Sequence, residues 1–91
     1  MAESRPEGES REARLKRMTM RSMRRGIKEM DIILSSFADT HLDAMTNDEL
    51  DHYETLLSES DLDMYQWVSG QAPTPPEYLD LMTKISANMS G

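Results

Sequence analysis

An apolar stripe at three-and-four spacing between residues 27 and 42 constrains the fold of this chain more than any other feature. Its members are Ile27, Met30, Ile33, Leu34, Phe37, Ala38 and Leu42. This spacing places them on one face of an α-helix, and a face of that width needs a core to cover it. We therefore predict a central helix over about residues 27 to 43, with Phe37 in the middle of its buried face.

Further helix signals on both sides predict an all-α fold, a compact single-domain bundle of about five short helices. The first helix should span about residues 11 to 24. Three N-terminal capping patterns start the others: Thr46-Asn47-Asp48-Glu49, the weaker Ser60-Asp61-Leu62-Asp63, and Thr74-Pro75-Pro76-Glu77. The fourth helix should run to about Ser69, with Gly70 as its C-terminal cap, and the fifth to about Asn88. Sustained period-two alternation is absent, which argues against a sheet.

The same periodicity predicts which side chains these four helices bury. We expect Leu15, Met18 and Met23 inward in the first helix, Leu50, Tyr53 and Leu57 in the third, Leu62, Tyr65 and Val68 in the fourth, and Tyr78, Leu81, Met82, Ile85 and Met89 in the fifth. The arginines of the first helix are expected elsewhere around it. Trp67 lies off the centre of the fourth stripe, as either a core residue or an exposed anchor.

Length and composition limit the kinds of function available. A chain of 91 residues forms one small domain with little interior for a cofactor, so a surface-mediated function is favoured. The sequence has no cysteine, which excludes disulfides and thiolate sites. No apolar run approaches the 18 or so residues of a membrane span. We divide the chain into a disordered tail, residues 1–10, and a helical domain, residues 11–91.

The first ten residues carry no targeting pattern. They have no apolar core, which argues against a secretory signal, and their acids argue against a mitochondrial presequence. The lack of cysteine fits a reducing compartment. We therefore predict a protein of the bacterial cytoplasm.

Charge is divided sharply along the chain. Residues 11–28 hold eight Lys or Arg and one acid, whereas residues 29–91 hold thirteen acids and one base, within a net charge of −7. Such a dipolar chain should orient a charged partner and associate with it at a salt-dependent rate.

At this boundary lies Arg25-Gly26-Ile27-Lys28-Glu29, preceded by Arg24 and followed by Asp31, with Trp67-Val68-Ser69-Gly70 further on. Together these residues resemble the SdhE-type succinate dehydrogenase FAD assembly factors, small all-helical proteins. The signature of that family is R-G-x-x-E, then an aspartate two residues later, and W-x-x-G downstream. The resemblance covers residues 11 to 88.

The resemblance implies a non-enzymatic, chaperone-like assembly factor. Its partner would be the flavoprotein subunit of succinate dehydrogenase, with that of fumarate reductase as a second candidate. The chain would promote covalent attachment of FAD to a histidine of that subunit, while holding no cofactor or metal stably itself, and would be a monomer when free. The implied partner-binding residues are Arg24, Arg25, Gly26, Glu29 and Asp31.

Other interpretations of these residues remain open. Gly26 is also typical of a helix end, and Glu29 of a first helical turn, where the helix dipole favours a carboxylate. The basic run from Arg11 to Lys28 suggests a nucleic-acid-binding regulator, although a pI of about 4.7 and the lack of interleaved aromatics argue against it. A generic helical adaptor is a further alternative.

Two other groups of residues are weaker signals. His41 and His52 lack the spacing of a helical metal pair, and no nucleophile motif accompanies them. Met18, Met20, Met23 and Met30 cluster around the signature. We interpret them as core residues, with an adaptable contact surface as the alternative.

Overall fold

The computed structural model describes residues 8–90, and its helices surround one core. Residues 1–7 of the predicted disordered tail lie outside that range. The elements are α1 Arg11–Arg21, α2 Lys28–His41, a 3₁₀ turn Leu42–Ala44, α3 Asn47–Leu57, α4 Asp61–Val68, a 3₁₀ turn Pro76–Tyr78 and α5 Leu79–Ser90. Five α-helices and no strand among residues 8–90 confirm the predicted fold class. None of these helices is long and apolar enough to cross a membrane.

The central position of α2 is also confirmed, since α1, α4 and α5 all pack against it. Met30, Leu34 and Phe37 are fully or almost fully buried. The Phe37 ring lies 4.6 Å from that of His41 and 5.5 Å from that of Tyr53, centroid to centroid. The apolar stripe of α2 is therefore the centre of the core.

Short-range hydrogen bonds cap several of the helices. Thr46 and Glu49 form the predicted capping box of α3, because the Thr46 hydroxyl accepts from the Glu49 amide and the Glu49 carboxylate accepts from the Thr46 amide. The latter bond is the main cause of a lowered pKa of Glu49. Ser60 caps α4, and Gly70 ends it with a φ of +82°. Thr74 forms no cap, because Pro75 occupies the position before the 3₁₀ turn.

The predicted burial is wrong for three residues, Met23, Met89 and Leu62. Met23 is exposed because α1 ends at Arg21, so helical periodicity does not extend to it. Met89 is exposed in the last turns of α5. In α4 the predicted Leu62 is exposed, and the fully buried residue is Met64. Eight residues make only about two helical turns, which is too short a sample for periodicity to select a face.

Candidate partner-binding site

The link between α1 and α2, residues 22–27, carries Arg24, Arg25 and Gly26 of the predicted binding residues and is anchored to the core at its start. Ser22 is fully buried, and its hydroxyl donates to the Met18 carbonyl at 2.9 Å. The same hydroxyl shares a hydrogen bond of 2.7 Å with the hydroxyl of Tyr53 on α3. Burial raises the pKa of Tyr53 to about 12, although the bond to Ser22 works in the opposite direction. The first residue of the link is therefore held in place by α1 and α3.

Asp61, the first residue of α4, holds the middle of the link. One carboxylate oxygen accepts from the Arg25 Nε at 2.8 Å, and the other accepts from the Gly26 amide at 2.7 Å. We call this pair of contacts the Asp61 bridge. Two further donors of Arg25 reach backbone carbonyls, those of Arg21 at 2.6 Å and Leu57 at 3.0 Å. The Arg25 side chain is consequently only 12% exposed and acts inside the fold.

The Asp61 bridge explains why a glycine suits position 26. A Cβ placed on Gly26 would lie 3.2 Å from the Asp61 carboxylate oxygen, tighter than ordinary van der Waals contact. The backbone of Gly26 does not have a positive φ, so left-handed geometry is not the reason. The exposed surface of Gly26 also leaves its backbone open to close approach from outside. Close packing against Asp61 and access to the backbone from outside thus both favour glycine at position 26.

Arg24 is the only non-glycine residue of the described range with a positive φ, at 56°. Its amide donates to the Asp31 carboxylate at 2.9 Å, and the Ser35 hydroxyl donates to the other Asp31 oxygen at 3.2 Å. A positive φ is unusual for a non-glycine residue and costs conformational energy. The hydrogen bond to Asp31 helps to offset that cost. Asp31 therefore shapes the backbone from which the exposed Arg24 side chain extends.

The structure divides the five predicted binding residues into two groups. Arg24, Gly26 and Glu29 are exposed, whereas Arg25 and Asp31 are half-buried and bond within the chain. Glu29 lies in the first turn of α2, where the helix dipole favours its charge. Sequence reasoning missed Asp61, since an acid in a first helical turn is too common to indicate a contact 35 residues away.

Four of the eight basic residues from Arg11 to Lys28 pair with the chain's own acids, which leaves less of this run for a nucleic acid. Glu54 of α3 accepts from Arg17 at 2.7 Å and from Arg14 at 3.1 Å, with Arg21 at 3.6 Å. Arg14 is 3% exposed, so it lies in the interior. Arg17 also forms a two-point ion pair with Glu9.

This network fixes the charge state of Glu54. Burial alone raises the pKa of that carboxyl, but the hydrogen bonds and charges of Arg17 and Arg14 outweigh it, so the net pKa is lowered. Arg11 is used differently, bonding to Asn47 and to the carbonyls of Asp43 and Met45. Cations occupied in this way are unavailable to phosphates, which argues against nucleic-acid binding through α1.

The downstream W-x-x-G lies where α4 meets α5. Trp67 is half-buried, and its ring stacks with Tyr78 at 5.8 Å. The Tyr78 hydroxyl donates to Glu59 at 2.7 Å. Burial, together with Glu59, raises the pKa of Tyr78 to about 12. These contacts join α4 and the residue Glu59 before it to the 3₁₀ turn Pro76–Tyr78, and they thereby support the helix that carries Asp61.

Among residues 8–90, no cluster of three His, Asp or Glu side chains has a geometry for holding a metal ion. Of the signature methionines, Met18 and Met30 are fully buried, while Met20 and Met23 are exposed. The methionines near the signature thus include both core and surface residues.

Comparison with known proteins assigns the family. The model of Sdh5, described as flavinator of succinate dehydrogenase, matches residues 16–89. The chain belongs to the Sdh5 family. This match confirms the resemblance drawn from the R-G-x-x-E and W-x-x-G residues.

Fungal relatives of the Sdh5 family support the assignment, each called "Succinate dehydrogenase assembly factor 2, mitochondrial". The protein of Candida glabrata is 47% identical over 68 residues, which is 75% of this chain and 44% of the relative. That of Meyerozyma guilliermondii is 41% identical over 76 residues, 80% of this chain and 56% of the relative. The chain spans about half the length of these relatives.

These relatives also overturn the predicted bacterial cytoplasmic location, which is wrong. They are mitochondrial proteins of fungi, including a third from Lodderomyces elongisporus that is 42% identical over 69 residues, 76% of this chain and 42% of the relative. The prediction depended on the acid-rich first ten residues and on the lack of cysteine. Neither property is tied to one compartment strongly enough to outweigh such matches.

Proposed function

We propose that this protein acts in mitochondria, binds the flavoprotein subunit of succinate dehydrogenase through the link and the start of α2, and promotes covalent attachment of FAD to that subunit. Membership of the Sdh5 family and the names of the fungal relatives support this function. The observation that carries it is the exposure of Arg24, Gly26 and Glu29 on a backbone fixed from within by Asp31 and Asp61.

In this proposal each exposed residue has a separate task. Arg24 makes charge-assisted hydrogen bonds to acids or carbonyls of the flavoprotein, and Glu29 accepts from an arginine or an amide. Gly26 lets the flavoprotein backbone approach between these two charges. Because the link is already ordered by internal hydrogen bonds, little conformational entropy is lost on binding.

Arg25 and Asp31 contribute indirectly in this proposal. Arg25 is held by Asp61 and two carbonyls, and Asp31 holds the Arg24 amide, so both keep the exposed residues in place. FAD becomes attached to the partner and not to this chain. The chain supplies no reacting group, and positioning of the flavoprotein's histidine against its flavin accounts for the acceleration.

The test is Glu29→Ala, assayed with purified flavoprotein subunit lacking FAD, to which FAD and this chain are added. Covalent flavin is read as fluorescence that stays with the denatured subunit. We expect the substitution to abolish the stimulation while costing less than about 1 kcal/mol of stability, the usual range of a helix-dipole interaction.

Asp48→Ala is the matched control, because Asp48 is an exposed first-turn acid of α3 with no hydrogen bond or ion pair in the described range. It should retain full stimulation. A folded Glu29→Ala protein that stimulates as well as the Asp48→Ala control would exclude Glu29 from the function.

A further inference from the structure

The positive charges left over by the internal ion pairs are confined to one stretch. Within residues 8–90, the Lys and Arg side chains without a hydrogen bond or ion pair are Lys16, Arg24 and Lys28. All three are exposed. In a chain of net charge −7, a free cationic surface of this kind is a local exception.

Apolar surface accompanies these charges along α1. A shallow trough of about 450 Å³ is lined by Ala13, Lys16, Arg17, Met20 and Arg21. Met20 is 61% exposed, and Met23, just beyond the helix, is 44% exposed. Lys16 and Met20 are one helical turn apart, so they lie on the same face of α1. Met23 and Arg24 belong to the link, which begins where α1 ends at Arg21. We call Lys16, Met20, Met23 and Arg24 the α1 stripe.

We propose that the α1 stripe is a second docking surface for the flavoprotein, and that it takes an acidic segment with an apolar side chain seated against Met20. This inference rests on the proposed function. Two observations favour that occupant. The unpaired cations call for acids, and Arg24 belongs both to the stripe and to the site proposed above, so a flavoprotein bound over Gly26 and Glu29 would already contact one end of the stripe.

The two parts of the stripe should affect binding differently. Lys16 lies at the rim, where a charge mainly changes the rate of association and its dependence on salt. Met20 presents a flexible thioether, which adapts to an apolar partner and should slow dissociation. Neither side chain contributes to the core, so substitutions at both positions should leave the fold intact.

The experiment measures association and dissociation rates of the purified flavoprotein subunit at low and high salt, with circular dichroism as a check on folding. Lys16→Glu should lower the association rate about tenfold at low salt, with the deficit shrinking at high salt. Met20→Ser should raise the dissociation rate several-fold at either salt concentration. Lys84→Glu is the matched control, since it changes the net charge equally on α5, where Lys84 makes only an exposed ion pair.

The outcomes separate this inference from the proposed function. If the unmodified chain binds the flavoprotein, Glu29→Ala weakens binding and Lys16→Glu behaves like Lys84→Glu, the α1 stripe is not a docking surface and the proposed function stands. If the unmodified chain does not bind the flavoprotein, both proposals are overturned. Sedimentation that shows self-association lost in Met20→Ser would assign the stripe to a second copy of the chain and overturn this inference as well.

Discussion

Replacing Asp61 by asparagine tests whether the Asp61 bridge shapes the link. Asparagine keeps the size of the side chain and one acceptor oxygen, but it removes the charge and turns an NH₂ group toward one of the two donors. The bonds at stake are those from Arg25 Nε at 2.8 Å and the Gly26 amide at 2.7 Å. A hydrogen bond to a charged group contributes about 1.5–3 kcal/mol.

The burial of Arg25 and Asp61 indicates that the loss of stability in Asp61→Asn lies within this range of about 1.5–3 kcal/mol. The side chains of Arg25 and Asp61 are 12% and 20% exposed, so solvent would solvate the guanidinium poorly once the carboxylate is gone. The two carbonyls that Arg25 also reaches would remain as partners. We therefore expect Asp61→Asn to lower the free energy of unfolding by about 2 kcal/mol, which corresponds to a fall of about 8–16 °C in Tm for a domain of this size.

Urea unfolding followed by far-UV circular dichroism measures this change. Asp63→Asn is the control, because Asp63 lies in the same first turn of α4 and loses the same charge, yet its exposed side chain has no partner among residues 8–90. Flavoprotein affinity should fall for Asp61→Asn only. If the two variants unfold within about 0.5 kcal/mol of each other, the bridge does not stabilise the link.

Two further predictions concern the core and the ion pairs. Phe37→Ala should cost about 3–5 kcal/mol, because it empties a fully packed site on α2, and an unchanged Tm in calorimetry would show that Phe37 is not essential to the core. Since the pKa of Glu54 is lowered in the folded state, its stabilising contribution is present above the ordinary glutamate pKa of about 4.5 and should be lost as pH falls through the lower, folded pKa. As pH is lowered through this range, the Tm should therefore fall more steeply for the unmodified chain than for Glu54→Gln. Equal slopes of Tm against pH would contradict this role of Glu54.

Elements with strong local determinants were predictable from the sequence. Helix α2 is fourteen residues long with regularly spaced apolar residues, and the capping box of α3 is complete within Thr46 and Glu49, so neither depends on distant contacts. The fourth helix is too short for periodicity to select its buried face, so the prediction of Leu62 was wrong and Met64 is buried instead. Thr74 failed as a cap because two prolines after it start a 3₁₀ turn instead.

The exposed part of the candidate site followed from the motif, whereas its support did not. Gly26 and Glu29 belong to the R-G-x-x-E motif itself, and Arg24 is the residue directly before it. Asp61 and Glu54 contact residues 33 to 40 positions away, and periodicity carries no information about such pairings. The burial of Arg14 was unexpected for the same reason, since a charged side chain is placed outside by default unless its partner is known.

The way α1 is attached has a consequence for native-state fluctuations. Met18 is its only fully buried apolar side chain in the described range, with Leu15 partly buried, so arginine–carboxylate pairs supply much of the attachment to α3. We expect a helix with so little apolar burial to belong to the least protected cooperative unit of the domain, and α2 to the most protected. Amide protons of α1 should accordingly exchange with solvent through partial opening. The link follows α1 directly but is held to α3 by Ser22 and Tyr53 and to α4 by the Asp61 bridge, so we expect it to stay in place when α1 opens.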